Sequence, residues 1–450
     1  MSRRKIELGL RENLPQFGLL VAINALVGAM VGLERSTLPL IGEDSFGVGS
    51  SVAVLSFIVA FGLAKSFTNL GAGALAQRIG RRRLLIAGWA VALPVPLLIG
   101  VAPTWAWIVA ANLFLGVNQG LAWSMTVVMK IDLVGPKRRG LALGLNESDG
   151  DGGIALAAAV SGWLAADLIA RDVLVVGGAA IALIALLITV IFVRDTAAHV
   201  ALEQARDHDV SASAPRMRDA FPDATYRIPA LRSCSQAGLV NNLNDALAWG
   251  LVPLFLAAHG ASIGEIGLVA GIYPAVWGLG QIWAGHWSDS IGRKPLIVAG
   301  MLIQGAALCL LAISDGRIGE AVVAAVALGI GTALVYPTLI AAVSDAVSPV
   351  ARAPVVGVYR FWRDMGYVAG GLVVGAVADA IDFGAAIGMV AALTVLSGLW
   401  VAFDLPPRPV LRLRARRRPP PAGRRPTGAV PGGGRARAAR RKPRKRQRAA

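Results

Sequence analysis

The chain has 450 residues, 55% of them hydrophobic and only 16% charged, whereas a soluble protein carries about a quarter charged residues and keeps its apolar runs short. A soluble enzyme, a disulfide scaffold and a disordered chain are excluded, which leaves a polytopic membrane protein. The net charge of +17 belongs to the last segment alone: 17 of the 44 basic residues, and none of the 27 acids, lie beyond Leu405, so the rest of the chain is balanced.

Apolar runs long enough to cross a bilayer, which takes about 20 helical residues, recur from Phe17 to Ala402. Cut at charge clusters and turn residues, they predict twelve spans: 15–40, 48–69, 83–101, 105–129, 144–170 and 172–193, then 233–258, 264–285, 294–313, 319–345, 353–378 and 384–403. None alternates with period two, as membrane β-barrel strands do. The expected fold is therefore all-α: one six-helix half over 1–193, a polar connector over 194–232, a second six-helix half over 233–404 and a basic tail over 405–450. Met1-Ser-Arg-Arg-Lys5 precedes span one, and no small-residue cleavage site follows it, so it reads as a retained helix and not a signal peptide.

An ionisable or strongly polar group in hydrocarbon is costly and is a candidate for cavity, coupling or helix-contact work. Glu34 and Arg35 in span one are either a self-compensating pair or an outer gate. Span four carries Asn112, Asn118 and Gln119, then Trp123. Span five has Glu147, Asp149 and Asp151 among glycines, either a wet entrance or a cation site. In span seven, Asn241-Asn-Leu-Asn-Asp245 offers Asp245 as a proton- or substrate-sensing carboxylate, or as a buried acid held by the asparagines. Tyr336-Pro-Thr338 predicts a kink in span ten. In span eleven, Arg360 and Asp364 share a face at i,i+4. Cys234 and Cys309 lie in apolar stretches as small buried side chains, and the four histidines are scattered without ligand spacing, so no metal or cofactor is expected.

Lysine and arginine set the orientation. Arg78, Arg81, Arg82, Arg83, Lys137, Arg138, Arg139, Arg293, Lys294, Arg352 and the connector arginines fall on one side, and only Arg35, Arg171 and Arg317 on the other. Excess positive charge stays cytoplasmic, so both termini and the connector are expected inside, in a cell (inner) membrane. The halves also repeat. Gly73 to Gly80 aligns with Gly285 to Gly292 at an offset of 212; Asp132, Pro136, Arg139 and Gly144 align with Asp345, Pro349, Arg352 and Gly357 at 213. Two parallel halves around a central cavity are what such duplication implies for secondary transporters. At the same offset Glu147 aligns with Arg360, which predicts a salt bridge across the inner mouth of that cavity.

The loop after span two reads Gly73-Ala-Leu-Ala-Gln-Arg-Ile-Gly-Arg-Arg-Arg83, and the loop after span eight Gly285-His-Trp-Ser-Asp-Ser-Ile-Gly-Arg-Lys294. Glycine permits a tight turn there while the arginines stay in water. Both resemble the G-x-L-A-D-R-x-G-R-K signature of the major facilitator superfamily, once per half, over residues 15–403. The resemblance implies a carrier that rocks its halves about a midplane site, with the motif latching the cytoplasmic face. Carried over, Gly285, Asp289, Gly292, Arg293 and Lys294 fit the second copy. Gly73, Arg78, Gly80 and Arg81 fit the first, where Gln77 replaces the usual aspartate. The arginine and Gly-Pro patterns of drug/proton antiporters are absent from spans four and five.

The function expected from sequence is secondary active transport of a small organic solute by alternating access, driven by the proton gradient and drug-efflux-like in direction. Proton-coupled uptake, and a non-transporting sensor or scaffold, are the alternatives. No Walker loop or catalytic triad appears, so no enzyme is expected. A monomer is expected in the lipid bilayer, with the Pro/Gly/Arg-rich tail disordered and lying on anionic lipid, not on nucleic acid.

Overall fold

The computed structural model describes residues 6–135, 139–206, 217–347 and 349–406, and every regular element among them is helical. Twelve long rods follow the predicted order. Span one is Leu14–Arg35 continued by Leu38–Asp44, span two Ser51–Ile79, and span three Arg81–Ala92 continued by Pro94–Val101. Spans four to six are Trp105–Val134, Arg139–Asp167 and Ala170–Phe192. Span seven is Pro229–Ala246, a π turn Leu247–Leu251 and Val252–Ala258. Spans eight to twelve are Ile263–Ile291, Arg293–Ala312, Ile318–Asp345, Pro349–Ala380 and Phe383–Asp404.

Eight of these rods are long and apolar enough to cross a membrane by length and composition alone. The other four, spans four, five, seven and eleven, are as long but carry the polar residues that face the interior, which lowers their hydropathy. Large apolar side chains such as Trp163, Ile169, Val176, Leu187 and Phe403 stand exposed on the perimeter, where lipid covers them. Cys234 is buried, but Cys309 is exposed on its helix, a departure from the sequence reading.

Loop length fixes neighbours: short connections make consecutive rods antiparallel, and the interior seam is then closed by span two on span eleven and span five on span eight. These two seams are equivalent under the internal repeat. Gly80 and Gly292 end spans two and eight with φ of 90° and 101°, the left-handed turn for which the repeated motif needs glycine. Span ten runs unbroken through Pro337. The 194–232 segment is not simply a loop. It carries helices Ala197–Arg206 and Met217–Pro222 and a π turn Asp223–Arg227. Thr196 donates to Asp132 at 2.5 Å, and Trp362 donates to Thr225 at 2.9 Å, so the connector is tied to both halves.

The rods splay. The connector face is the side where residues 193–228 join the halves, and the far face is its opposite. Near the far face, a Cβ on Gly162 would lie 2.6 Å from Gly267 Cα, and one on Gly375 would lie 2.8 Å from Val52 Cα. Such backbone approach is what small residues permit between membrane helices. Eighteen residues make five full turns, so Gly144, Gly285 and Gly357 lie on the same helix faces nearer the connector, yet among the described residues nothing stands within 4 Å of a Cβ placed there. Among the described residues the seams are backbone-tight at the far face and lack such approach at these glycines nearer the connector, although Phe67 of span two still meets Phe361 of span eleven at 5.5 Å between ring centres.

Candidate functional site: a charged cavity between the halves

Span one brings Arg35 to the middle of the bundle and span seven brings Asp245 to meet it. Arg35 Nη1 and Nη2 donate to Asp245 Oδ1 and Oδ2 at 2.8 and 3.0 Å, with the two side chains 2% and 1% exposed. Tyr367 of span eleven donates to Asp245 Oδ2, and the Arg35 guanidinium lies 5.3 Å from the Trp249 ring centre. A bidentate fork of this kind is the strong form of a charged hydrogen bond. It joins the two halves on the far side of a cavity whose empty space, counting what is open to solvent, is about 560 Å³.

The cavity is lined from six further spans by side chains that include Lys65, Gln119, Trp123, Asp151, Trp277, Tyr336, Arg360 and Arg363. Across one seam Gln281 donates to Asp151 at 2.5 Å; across the other Asn69 donates to Asp364 at 2.5 Å. Gln281 and Asn69 are 212 residues apart, and Asp364 and Asp151 are 213 apart, so these are one carboxylate–amide contact used twice. Asp364 also accepts from Arg363, whose Nη1 donates to Tyr336 at 2.5 Å. A separate cavity of about 520 Å³, in the second half beyond Arg35, is walled almost entirely by apolar side chains such as Leu256, Val269 and Leu328. It lacks the polar groups that fix a solute's orientation.

Of the sequence candidates, Arg35, Asp245 and Gln119 meet at the cavity, and Gln119 also donates to Val27 O at 2.6 Å. Glu34 turns away into the first half beside Asn112 and makes no pair with Arg35. Asn118 donates to Gly88 O at 2.9 Å, and Asn241 accepts from Gln304 at 2.8 Å, each within its own half. The predicted Glu147–Arg360 bridge is not formed. Glu147 accepts from Trp123 Nε1 at 3.2 Å, and Arg360 makes no ion pair among the described residues. Nor does Arg360 pair with Asp364, which Arg363 already neutralises.

The loop motifs act inside each half. Arg81 pairs with Asp132 at 2.6 Å, and Arg293 with Asp345 at 3.0 Å, equivalent bridges from the loop glycines to the ends of spans four and ten. Arg78 is exposed. The side-chain surroundings of Gly73 and Asp289 lie outside the described residues.

Sequence reasoning passed over Lys65 and Lys130. Lys130 Nζ pairs with Asp149 at 2.5 Å, inside the first half, with the lysine fully buried. The predicted end of span four at 129 hid it, whereas the helix runs on to Val134. Lys65 was visible as the sole charge in the middle of span two. Its ammonium lies 5.2 Å from the Phe61 ring centre, 5.3 Å from Tyr367 and 5.8 Å from Trp123, and it has no hydrogen-bond or ion-pair partner among the described residues. No group of side chains suited to a metal ion occurs among the described residues.

The profile of the Major Facilitator Superfamily matches the chain twice, over residues 16–232 and 235–447, one copy per half. The inner membrane transport protein YajR of Escherichia coli (strain K12) is 38% identical over 92 residues, 20% of this chain and 19% of that protein. The match therefore spans about a fifth of that relative. A crystal structure of a mutant of the nucleoside transporter NupG aligns with a TM-score of 0.69 at 15% identity, over 86% of this chain and 99% of the other, a likeness of fold. Profile, repeat and splayed two-half bundle agree: the chain is a multi-pass membrane protein that belongs to the Major Facilitator Superfamily.

Proposed function

We propose that the protein is a proton-coupled secondary carrier that exports a small organic solute across the inner membrane by alternating access. The reading places both termini and the connector in the cytoplasm. The observation that carries it is the Arg35–Asp245 pair, buried, bidentate and bridging the two halves on the far side of a cavity whose seams lack close backbone approach toward the connector. Loss of a proton from Asp245 lets Arg35 capture the carboxylate and hold the far face shut, while the cavity takes solute from the connector side. Gain of a proton removes the charge that Arg35 needs, and the seal loosens. One carboxylate thus links proton occupancy to which face is closed.

The test has two stages. Metabolite accumulation in deletion and overexpression strains identifies a solute, and everted vesicles with an imposed pH gradient then measure its flux. Export predicts solute entry into everted vesicles with an acidic lumen, and loss of that dependence in Asp245→Asn. Entry only into right-side-out vesicles would make the protein an uptake carrier. Absence of any flux in either orientation would leave the carrier reading without support.

A further inference from the structure

The two seams occupy equivalent positions but carry opposite charge. On the span two/eleven wall stand Lys65, Arg360 and Arg363 against one carboxylate, Asp364. On the span five/eight wall Asp151 lines the cavity, Glu147 on the same helix accepts from the lining residue Trp123, and no cation lines that wall among the described residues. Residue by residue, Arg360 answers Glu147, and Arg363 answers Gly150, which is why Asp364 is neutralised by a guanidinium and Asp151 is not. Lys65 answers Trp277 at the offset of 212.

The exchange at Lys65 is particularly informative. In the second half Trp277 sits between Tyr273 and Tyr336, at centroid distances of 5.8 and 5.1 Å. In the first half the equivalent ring positions, Phe61 and Trp123, flank an ammonium instead. A cation has replaced a ring in an otherwise repeated aromatic stack, without gaining a carboxylate partner. The opposite wall has the converse vacancy. Glu147 Oε2 and Gln281 Oε1 are buried acceptors with no donor among the described residues, and Trp277 Nε1 on the same wall is a buried donor with no acceptor; on the span two/eleven wall Arg360 Nε is a buried donor with no acceptor. A buried charge is retained where something pairs with it.

We infer that the cavity binds a zwitterion of amino-acid or dipeptide size. Its carboxylate is received by Lys65 and Arg360, its ammonium by Asp151 and Glu147, and its apolar body lies against Trp123 and Trp277. A carboxylate is an acceptor only and an ammonium a donor only, which matches excess cations on one wall facing carboxylates on the other. A simple anion would leave Asp151 and Glu147 unmatched, and a simple cation would leave Lys65 and Arg360 unmatched. This inference rests on the carrier reading and names its solute class.

The experiment is equilibrium dialysis with the full-length protein in detergent, using labelled L-phenylalanine and L-phenylalanyl-L-alanine. Each is compared with its N-acetyl form, an anion, and its methyl ester, a cation. At least one zwitterion is expected to bind tenfold or more tightly than both of its capped forms. Lys65→Gln and Arg360→Gln should each weaken it about tenfold and raise the ester relative to the zwitterion; Asp151→Asn should raise the N-acetyl form instead, a change of preference that mere loss of packing would not produce. Equal binding of a capped form, or binding of neither zwitterion, overturns the assignment. Thiol labelling of Leu55→Cys, in a Cys234→Ser, Cys309→Ser background, separates this failure from failure of the carrier itself. If Asp245→Asn raises labelling while the capped forms bind as well as the zwitterion, only the solute class is wrong. If labelling does not change, the gating reading has failed.

Discussion

Arg35 and Asp245 are each a liability without the other. Removing one partner of a buried pair leaves an uncompensated charge, at a cost of about 3–5 kcal/mol, whereas removing both costs less. Asp245→Asn is therefore expected to lower the thermal stability of the detergent-solubilised protein sharply. Arg35→Gln with Asp245→Asn should recover part of the loss, and thermal denaturation of the three variants measures the coupling. The same reasoning applies to Lys130–Asp149, which lies wholly within the first half. Lys130→Met is expected to destabilise by a similar amount while leaving far-face thiol labelling unchanged, because that bridge crosses no seam. Both arginine and aspartate of the pair were readable as costly intramembrane charges. Their partnership, 210 residues apart in the chain, was not, because no local spacing links spans one and seven.

At the scale of the element, the spacing of 18 residues decides which glycines are under load. Gly162→Leu has no room against Gly267 and should pry spans five and eight apart at the far face, raising labelling there and costing on the order of 1–3 kcal/mol as overpacking does. Gly144→Leu and Gly285→Leu meet open space and should leave the stability of this conformation within about 1 kcal/mol of the parent. They stand where the seams must meet if the connector face closes, so transport is expected to fall tenfold or more despite unchanged stability. Flux and denaturation measured on the same variants check this. Spans and turns were legible because hydropathy and glycine are local signals, and Gly80 and Gly292 adopt the turn that the repeated motif demands. The helices of the connector were missed because a polar amphipathic segment looks like a loop until its apolar face, with Phe221 against Phe361 and Trp362, finds a surface.

For the molecule as a whole, the bundle of two halves carries no net charge through Asp404, and the basic excess follows it. Leu405 is buried and packs with the second half, so the structural boundary falls just beyond it. Truncation after Pro406 is expected to leave transport within about twofold of the full chain while weakening association with anionic vesicles, where each basic residue contributes about 1 kcal/mol near the surface. Truncation one helical turn earlier removes Asp404, which accepts from Arg232 at 2.6 Å, and should cost stability as well. Flux and vesicle flotation of the two truncations separate these effects.

Helix number, duplication, the turn-forming loops and the family resemblance were all legible in the order of residues, since each depends on hydropathy, charge or glycine within one short stretch. The packing of the two faces, the Arg35–Asp245 pair, the unformed Glu147–Arg360 bridge and the opposed charges of the two seams were decided only by folding. Each requires side chains some 200 residues apart to be placed within a few ångströms, and the repeat offset alone states which positions are equivalent, not which of them touch.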